Sequence, residues 1–116
     1  KVAGEETVTC WGDGTPMREF LFSDDLADAC VFFMDNYSEA GHINTGTGED
    51  ITIKHLAESI AKVVGFEGEI LWDTEKPNGN PRKLLDSSRA NALGWEPKTS
   101  FEEGLKQTYS WYLQNV

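Results

Sequence analysis

The sequence predicts a small mixed α/β fold. Short runs rich in β-branched and aromatic residues alternate with stretches whose apolar residues recur at helical spacing, turn-forming glycine, proline and aspartate separate them, and no segment repeats. In order, Thr7-Val8-Thr9-Cys10-Trp11 reads as a strand, stopped by the turn chemistry of Gly12-Asp13-Gly14-Thr15-Pro16. Phe20-Leu21-Phe22 reads as a second extended piece. Ser23 then offers an N-cap, Asp24 and Asp25 suit the positive end of a helix dipole, and Leu26, Ala29, Cys30, Phe33, Met34 and Tyr37 recur at helical spacing. His42-Ile43-Asn44 predicts a short strand entering a Gly46-Thr47-Gly48 turn. Ile51-Thr52-Ile53 leads into a helix carrying Leu56, Ile60, Val63 and Val64, with Gly65 placed as its C-cap. Glu69-Ile70-Leu71-Trp72 predicts a strand, followed by a polar loop from Lys76 to Pro81. Asp86 or Ser87 caps a short helix ending at Gly94, and Ser100 with Glu103 forms a capping-box pattern for a last helix with Phe101, Leu105, Tyr109 and Tyr112 on one face.

At 116 residues the chain suits one unit, residues 1–116, with a core expected to bury about two-thirds of the surface its unfolded form exposes. Its 39% hydrophobic, 11% aromatic and 26% charged residues fit an ordinary folded protein rather than a disordered one. The longest apolar run, Ala29 to Met34, is far short of the roughly 18 residues a membrane span needs. No basic, then apolar, leader opens the chain, so the cytoplasm is the expected compartment. Cys10 and Cys30 lie in apolar stretches and read as small buried thiols, not a disulfide framework.

The formal net charge of −10 argues against a nucleic-acid partner, since a phosphate backbone is met by an excess of Lys and Arg. An anionic ligand would need a local cluster of cations. Lys76, Arg82, Lys83 and Arg89 fall within fourteen positions that hold one acid, Asp86.

Three segments then carry a resemblance. Trp11-Gly12-Asp13-Gly14-Thr15-Pro16-Met17-Arg18-Glu19-Phe20-Leu21, Asp24-Asp25-Leu26-Ala27-Asp28-Ala29 and His42-Ile43-Asn44-Thr45-Gly46-Thr47-Gly48 resemble the C-terminal half of extended short-chain dehydrogenase/reductases that modify nucleotide sugars. Within them, Pro16 to Leu21, Lys76-Pro77-Asn78-Gly79-Asn80-Pro81-Arg82-Lys83-Leu84-Leu85-Asp86 and Leu93-Gly94-Trp95 are similar to the GDP-L-fucose synthase family. The resemblance implies the C-terminal substrate-binding portion of a Rossmann-type enzyme. It also implies a GDP-sugar substrate, NADP(H) held mainly by a preceding domain, and a homodimeric parent. Position by position it implies Trp11 as the aromatic wall of the substrate pocket, Arg18 as a cation on the diphosphate or sugar, and Lys83 as a second anchor, with Arg82 a weaker candidate. A diphosphate suits such groups, Arg as a planar fork and Lys as a mobile point charge.

Plainer readings stand beside these. Trp11 could be core, and Arg18 could pair with Glu19 or Asp24. Arg82 and Lys83 could be solvated; as neighbours in an extended piece they point to opposite faces, so one at most faces a ligand, and Lys83 is the choice. Gly46-Thr47-Gly48 lacks the third glycine and helix start of a phosphate loop and reads as a structural turn. His42 and His55 stand alone, without metal-ligand spacing.

No complete Gly-x-Gly-x-x-Gly is present. Nor is the family's Tyr-x-x-x-Lys pair, since Tyr37, Tyr109 and Tyr112 are followed four residues on by Gly41, Leu113 and Val116. The chain therefore reads as a piece of a longer enzyme, with no catalytic residue of its own and inactive alone. One departure stands out: Leu21-Phe22-Ser23 replaces the Leu-His-Val usual in the family. The rival readings are another nucleotide-sugar epimerase or dehydratase using a different base, a stand-alone nucleotide-sugar binding module, and a subunit contact made by the last helix through Trp111 and Tyr112.

Overall fold

The computed structural model of the chain describes residues 3–116. Two small sheets and four helices make up its regular structure. The first sheet pairs β1 (Thr7–Trp11) with β4 (Glu69–Asp73) in parallel, from Thr7 opposite Glu69 to Trp11 opposite Asp73. Parallel neighbours require a long crossover; here it contains most of the fold. The second sheet has order β3-β2-β5. Its centre is β2 (Met17–Arg18), antiparallel to β3 (Ile51–Thr52) and parallel to β5 (Arg82–Lys83). The Gly12–Pro16 turn joins the sheets, because Lys54 N–H and Ile53 N–H donate to the carbonyls of Gly14 and Pro16, each at 2.9 Å.

The second extended piece thus lies earlier than expected, at Met17–Arg18 rather than Phe20–Phe22. Residues 20–22 have no strand beside them and use their side chains instead. Phe20 meets the Phe101 ring at 6.0 Å, Leu21 joins the core, and Phe22 packs on Gly104, whose bare side lies 3.3 Å from the Phe22 ring. The His42–Asn44 strand is also not formed. Ile43 packs inward, while the His42 carbonyl accepts from Arg89 and the Asn44 amide donates to the Asp86 carbonyl.

Helix α1 (Ser23–Asn36) starts at its expected cap, one residue early. Phe22 occupies the N-cap, and Ser23 is the first helical residue. The stripe on this helix divides in two. Ala29 and Phe33 turn toward Trp95 and Tyr37 packs on Phe33, whereas Cys30 and Met34, each about 100° around the axis from the residue before it, stand in solvent, Met34 being 83% exposed. Cys30 is accordingly exposed and Cys10 only half-buried, not the buried pair expected.

Helix α2 (Ile53–Val64) is capped by Thr52, whose hydroxyl accepts from His55 N–H at 3.0 Å, and closed by Gly65 in the left-handed conformation. In α3 (Ser88–Ala92), Asp86 does the capping through Ser88 N–H at 3.0 Å, and Ser88, by its hydroxyl first and then by this amide, lowers the Asp86 pKa; Ser87 Oγ is buried without a partner. In α4 (Phe101–Asn115), Ser100 accepts from Glu103 N–H at 3.3 Å, but the Glu103 carboxylate accepts from Gln107 rather than completing the capping box.

The core is Ala29, Ala90 and Trp95, with Leu21, Phe32, Phe33 and Ile43 around them. Two carboxylates of α1 tie the segment before α4 to it. Asp25, 5% exposed, accepts from Thr99 N–H and Oγ1–H at 2.9 and 3.2 Å, and Asp28 accepts from Trp95 Nε1–H at 3.1 Å and from Lys98 Nζ. The body is a slab of 51 × 34 × 18 Å with a radius of gyration of 17.0 Å, where a compact chain of this length has about 13 Å. It exposes 8292 Å², about 2,000 Å² more than a compact protein of 12.9 kDa. Burial is therefore smaller than the expected two-thirds.

Candidate functional site

Trp11 closes β1 and is 72% exposed, so the core reading fails for it. Its ring carries Lys76 Nζ at 5.8 Å from the centroid. Behind it, Gly12 (φ +82°) is pressed so closely against Asn78 that a Cβ would collide with the side-chain amide. Asp13 N–H donates to Asn78 Oδ1 at 2.8 Å, and Asp13 Oδ1 accepts from Thr15 Oγ1–H and N–H at 2.6 and 2.9 Å. Those bonds, the Thr15 hydroxyl first, hold the Asp13 carboxyl below its ordinary range. Loop 74–81 is thereby pinned beside the tryptophan.

Arg18 lies at the other end of this loop, with Nη2 3.9 Å from the bare side of Gly79. Three residues, from Lys76 to Gly79, span at most about 11 Å of backbone, so one short loop touches both the aromatic ring and the guanidinium. Arg18 Nη1 donates to the Met17 carbonyl at 2.6 Å, and among the described residues no carboxylate forms an ion pair with it. Both partners of the plainer reading are engaged elsewhere. Asp24 accepts from Ser23, and Glu19 accepts from Gly48 N–H at 2.7 Å and Leu85 N–H at 3.1 Å.

Lys83 is the register partner of Arg18 across β2 and β5, which puts the two cations on one face of the sheet. Arg82 shares the opposite face with Met17, and its guanidinium holds Asp50 at 2.5 and 3.1 Å. The Asp50 side chain is 6% exposed, and its hydrogen bond and charge raise the Arg82 pKa. Arg89 is equally committed, to the His42 carbonyl at 2.9 Å, the Tyr37 hydroxyl at 3.0 Å and Glu39 at 3.3 Å. The four-cation cluster of the sequence thus leaves Lys76 and Lys83 uncommitted to carboxylates, and Arg18 joins them from another element. A cleft of about 300 Å³, lined by Arg18, Phe20, Ile51, Thr99 and Phe101, opens beside Arg18.

Gly46-Thr47-Gly48 is a structural turn, folded around the Glu19 carboxylate; a Cβ on Gly46 would sit 2.7 Å from the Glu19 Cδ. Among the described residues no three His, Cys, Asp or Glu side chains form a metal cluster. Glu19, Asp50, Asn78 and the Lys76–Trp11 contact escaped the sequence reading. The signal available for Glu19 was its alternation with Arg18, which sends the two side chains to opposite faces, together with the two glycines that let backbone approach a carboxylate.

Residues 1–46 match the NAD dependent epimerase/dehydratase family. The whole chain is 59% identical to GDP-L-fucose synthase 1 of Arabidopsis thaliana, of which it covers 36%. The chain is thus similar to the epimerase/dehydratase family over its first 46 residues and to a GDP-L-fucose synthase over its whole length. Its fold is that of Rossmann-type enzymes of this family: a GDP-L-fucose synthetase from Naegleria fowleri bound to NADP superposes on 94% of the chain with a TM-score of 0.89 at 29% identity, the chain covering 35% of it. A GDP-6-OMe-4-keto-L-xylo-heptose reductase from C. jejuni superposes on 96% with a TM-score of 0.88 at 37% identity, again with 35% covered. The chain spans about a third of the length of these epimerase/dehydratase relatives.

No β–α connection among the described residues carries the glycine-rich loop on which a dinucleotide pyrophosphate rests: β1 turns into β2, and β3 runs into α2 directly through Thr52. The described residues therefore lack that seat for a dinucleotide pyrophosphate. No helix among them is long and apolar enough to cross a membrane.

Proposed function

We propose that this chain is the GDP-sugar-gripping portion of an NADPH-dependent enzyme that makes GDP-L-fucose from GDP-4-keto-6-deoxy-D-mannose, by epimerisation beside the keto group and reduction of it. The observation that carries the reading is Arg18, without a carboxylate partner and in register with Lys83 on one sheet face, within a loop's length of the exposed Trp11. In a chain of net charge −10, cations left unpaired side by side suit an anionic ligand. The diphosphate would take charge-assisted hydrogen bonds from Arg18 and Lys83, and Trp11 would offer its ring or indole N–H to the rest of the nucleotide sugar.

NADP(H), on this reading, belongs to the remainder of a homodimeric, cytoplasmic parent, which also supplies the catalytic acid and base. This chain's residues bind and orient the sugar nucleotide and perform no proton or hydride step. By itself the chain is expected to be inactive. The relatives named for GDP-L-fucose synthesis support the fucose product. The heptose reductase favours a second reading, reduction of a different GDP-linked keto sugar.

The test is NADPH consumption by the full-length protein given GDP-4-keto-6-deoxy-D-mannose, with the product identified by chromatography and with GDP, UDP and dTDP as competitors. GDP-L-fucose with GDP the strongest competitor is expected. Turnover of another GDP-sugar alone would favour the second reading, and stronger competition by UDP or dTDP would discard both.

A further inference from the structure

Resting on that reading, we infer that Glu19 is a positioning residue for the sugar-nucleotide site: its one carboxylate sets where the two cations stand, although it contacts no ligand itself. The sheet that carries Arg18 and Lys83 pairs only two residues in each strand, Met17 with Arg82 and Arg18 with Lys83. A ladder that short does not fix a strand rigidly. Glu19 follows Arg18 directly and projects to the other face. There Oε2 accepts from Leu85 N–H at 3.1 Å, two residues beyond Lys83, so the carboxylate extends the β2–β5 pairing past its last backbone bond. Oε1 accepts from Gly48 N–H at 2.7 Å and from Thr47 Oγ1–H at 3.4 Å, which binds the 46–48 turn to the same group. Gly46 completes the seat, since any side chain there would enter the carboxylate.

Two consequences follow from this arrangement. The carboxylate nearest in sequence to Arg18 is occupied by backbone amides and does not neutralise it. The spacing between Arg18 and Lys83, which must match two phosphates, is set by a group able to accept from two chain segments at once. An amide in its place has one oxygen and presents an NH₂ to an N–H, so one of the two segments loses its anchor.

The test uses the full-length protein and its Glu19→Gln, Gly46→Ala and Arg18→Ala variants, with GDP affinity by isothermal titration, KM and kcat for the GDP-sugar, and thermal melting of each. Glu19→Gln and Gly46→Ala are expected to weaken GDP binding and raise KM about tenfold, with kcat within about twofold, while the folded protein still melts cooperatively. Both variants binding GDP as wild type does, while Arg18→Ala does not, would overturn the positioning role and leave the binding site standing. A fall in kcat and folded fraction with unchanged KM would reduce Glu19 to general stability and also overturn it. Wild-type protein that fails to bind GDP would remove the site and the positioning role together.

Discussion

Two regions of this molecule are held by different forces. Around Trp95, α1 and α3 bury Ala29 and Ala90 almost completely against an indole that also donates to Asp28. Around β2 and β5 little is fully buried; two-residue strands, the Glu19 carboxylate, the Arg82–Asp50 pair and the Asn78 pin hold the chain in place. Apolar burial is non-directional and cumulative, whereas each hydrogen bond fixes one atom at one distance. The first region should therefore govern stability. The second should govern where Arg18 and Lys83 stand.

The sharpest way to break this contrast is Trp95→Ala, which removes the centre of the core and is expected to cost about 3–5 kcal/mol of stability, read as a lower denaturation midpoint. A loss below about 1 kcal/mol would show that the slab draws its stability from elsewhere. Next comes Arg18→Ala in the full-length protein. The loss of a charged hydrogen bond is expected to weaken the GDP-sugar complex by about 1.5–3 kcal/mol, with the denaturation midpoint nearly unchanged. Unchanged affinity and turnover would take Arg18 out of the site.

A finer comparison sets Lys83→Ala beside Arg82→Ala. The first should weaken GDP binding; the second should leave it near wild type but lower the denaturation midpoint, because it strands the nearly buried Asp50 carboxylate. The reverse result would mean that the wrong face of β5 has been assigned to the ligand.

The smallest effect is pH-dependent. The Asp28 carboxyl is held below the usual carboxylate range, by the Lys98 bond first and then the Trp95 bond. A carboxyl with a depressed folded pKa contributes stability that is fully present above the unfolded value and lost as pH falls through the folded one. Asp28→Asn should therefore flatten the fall in stability below about pH 4 and leave the slope near pH 7 unchanged. An acid limb as steep as wild type would show that these bonds contribute nothing to stability.

Reading positions from pattern succeeded where one local rule decided the outcome. The β1 and β4 strands, the α2 helix with its Gly65 end and the Ser100 cap all follow from residues within a few positions of each other. It failed where a distant partner decided. The 20–22 segment is apolar and extended like a strand, but its neighbours offer side chains, not a free edge. The stripe on α1 is wider than the surface available to cover it, so Cys30 and Met34 stay outside.

The sequence by itself determined the four helices, the β1 and β4 strands, the turn around Gly12 and Gly14, and Trp11, Arg18 and Lys83 as the residues to examine, because periodicity, turn chemistry and motif are local properties of the chain. Only the tertiary structure decided which cations remain unpaired. Asp50 reaches Arg82 from 32 positions away, Glu39 reaches Arg89 from 50, and Glu19 turns from its neighbour Arg18 to the amide of Leu85, 66 residues on. Charge pairing depends on distance in space and falls off within a few ångströms of contact, and no spacing along the chain encodes that distance.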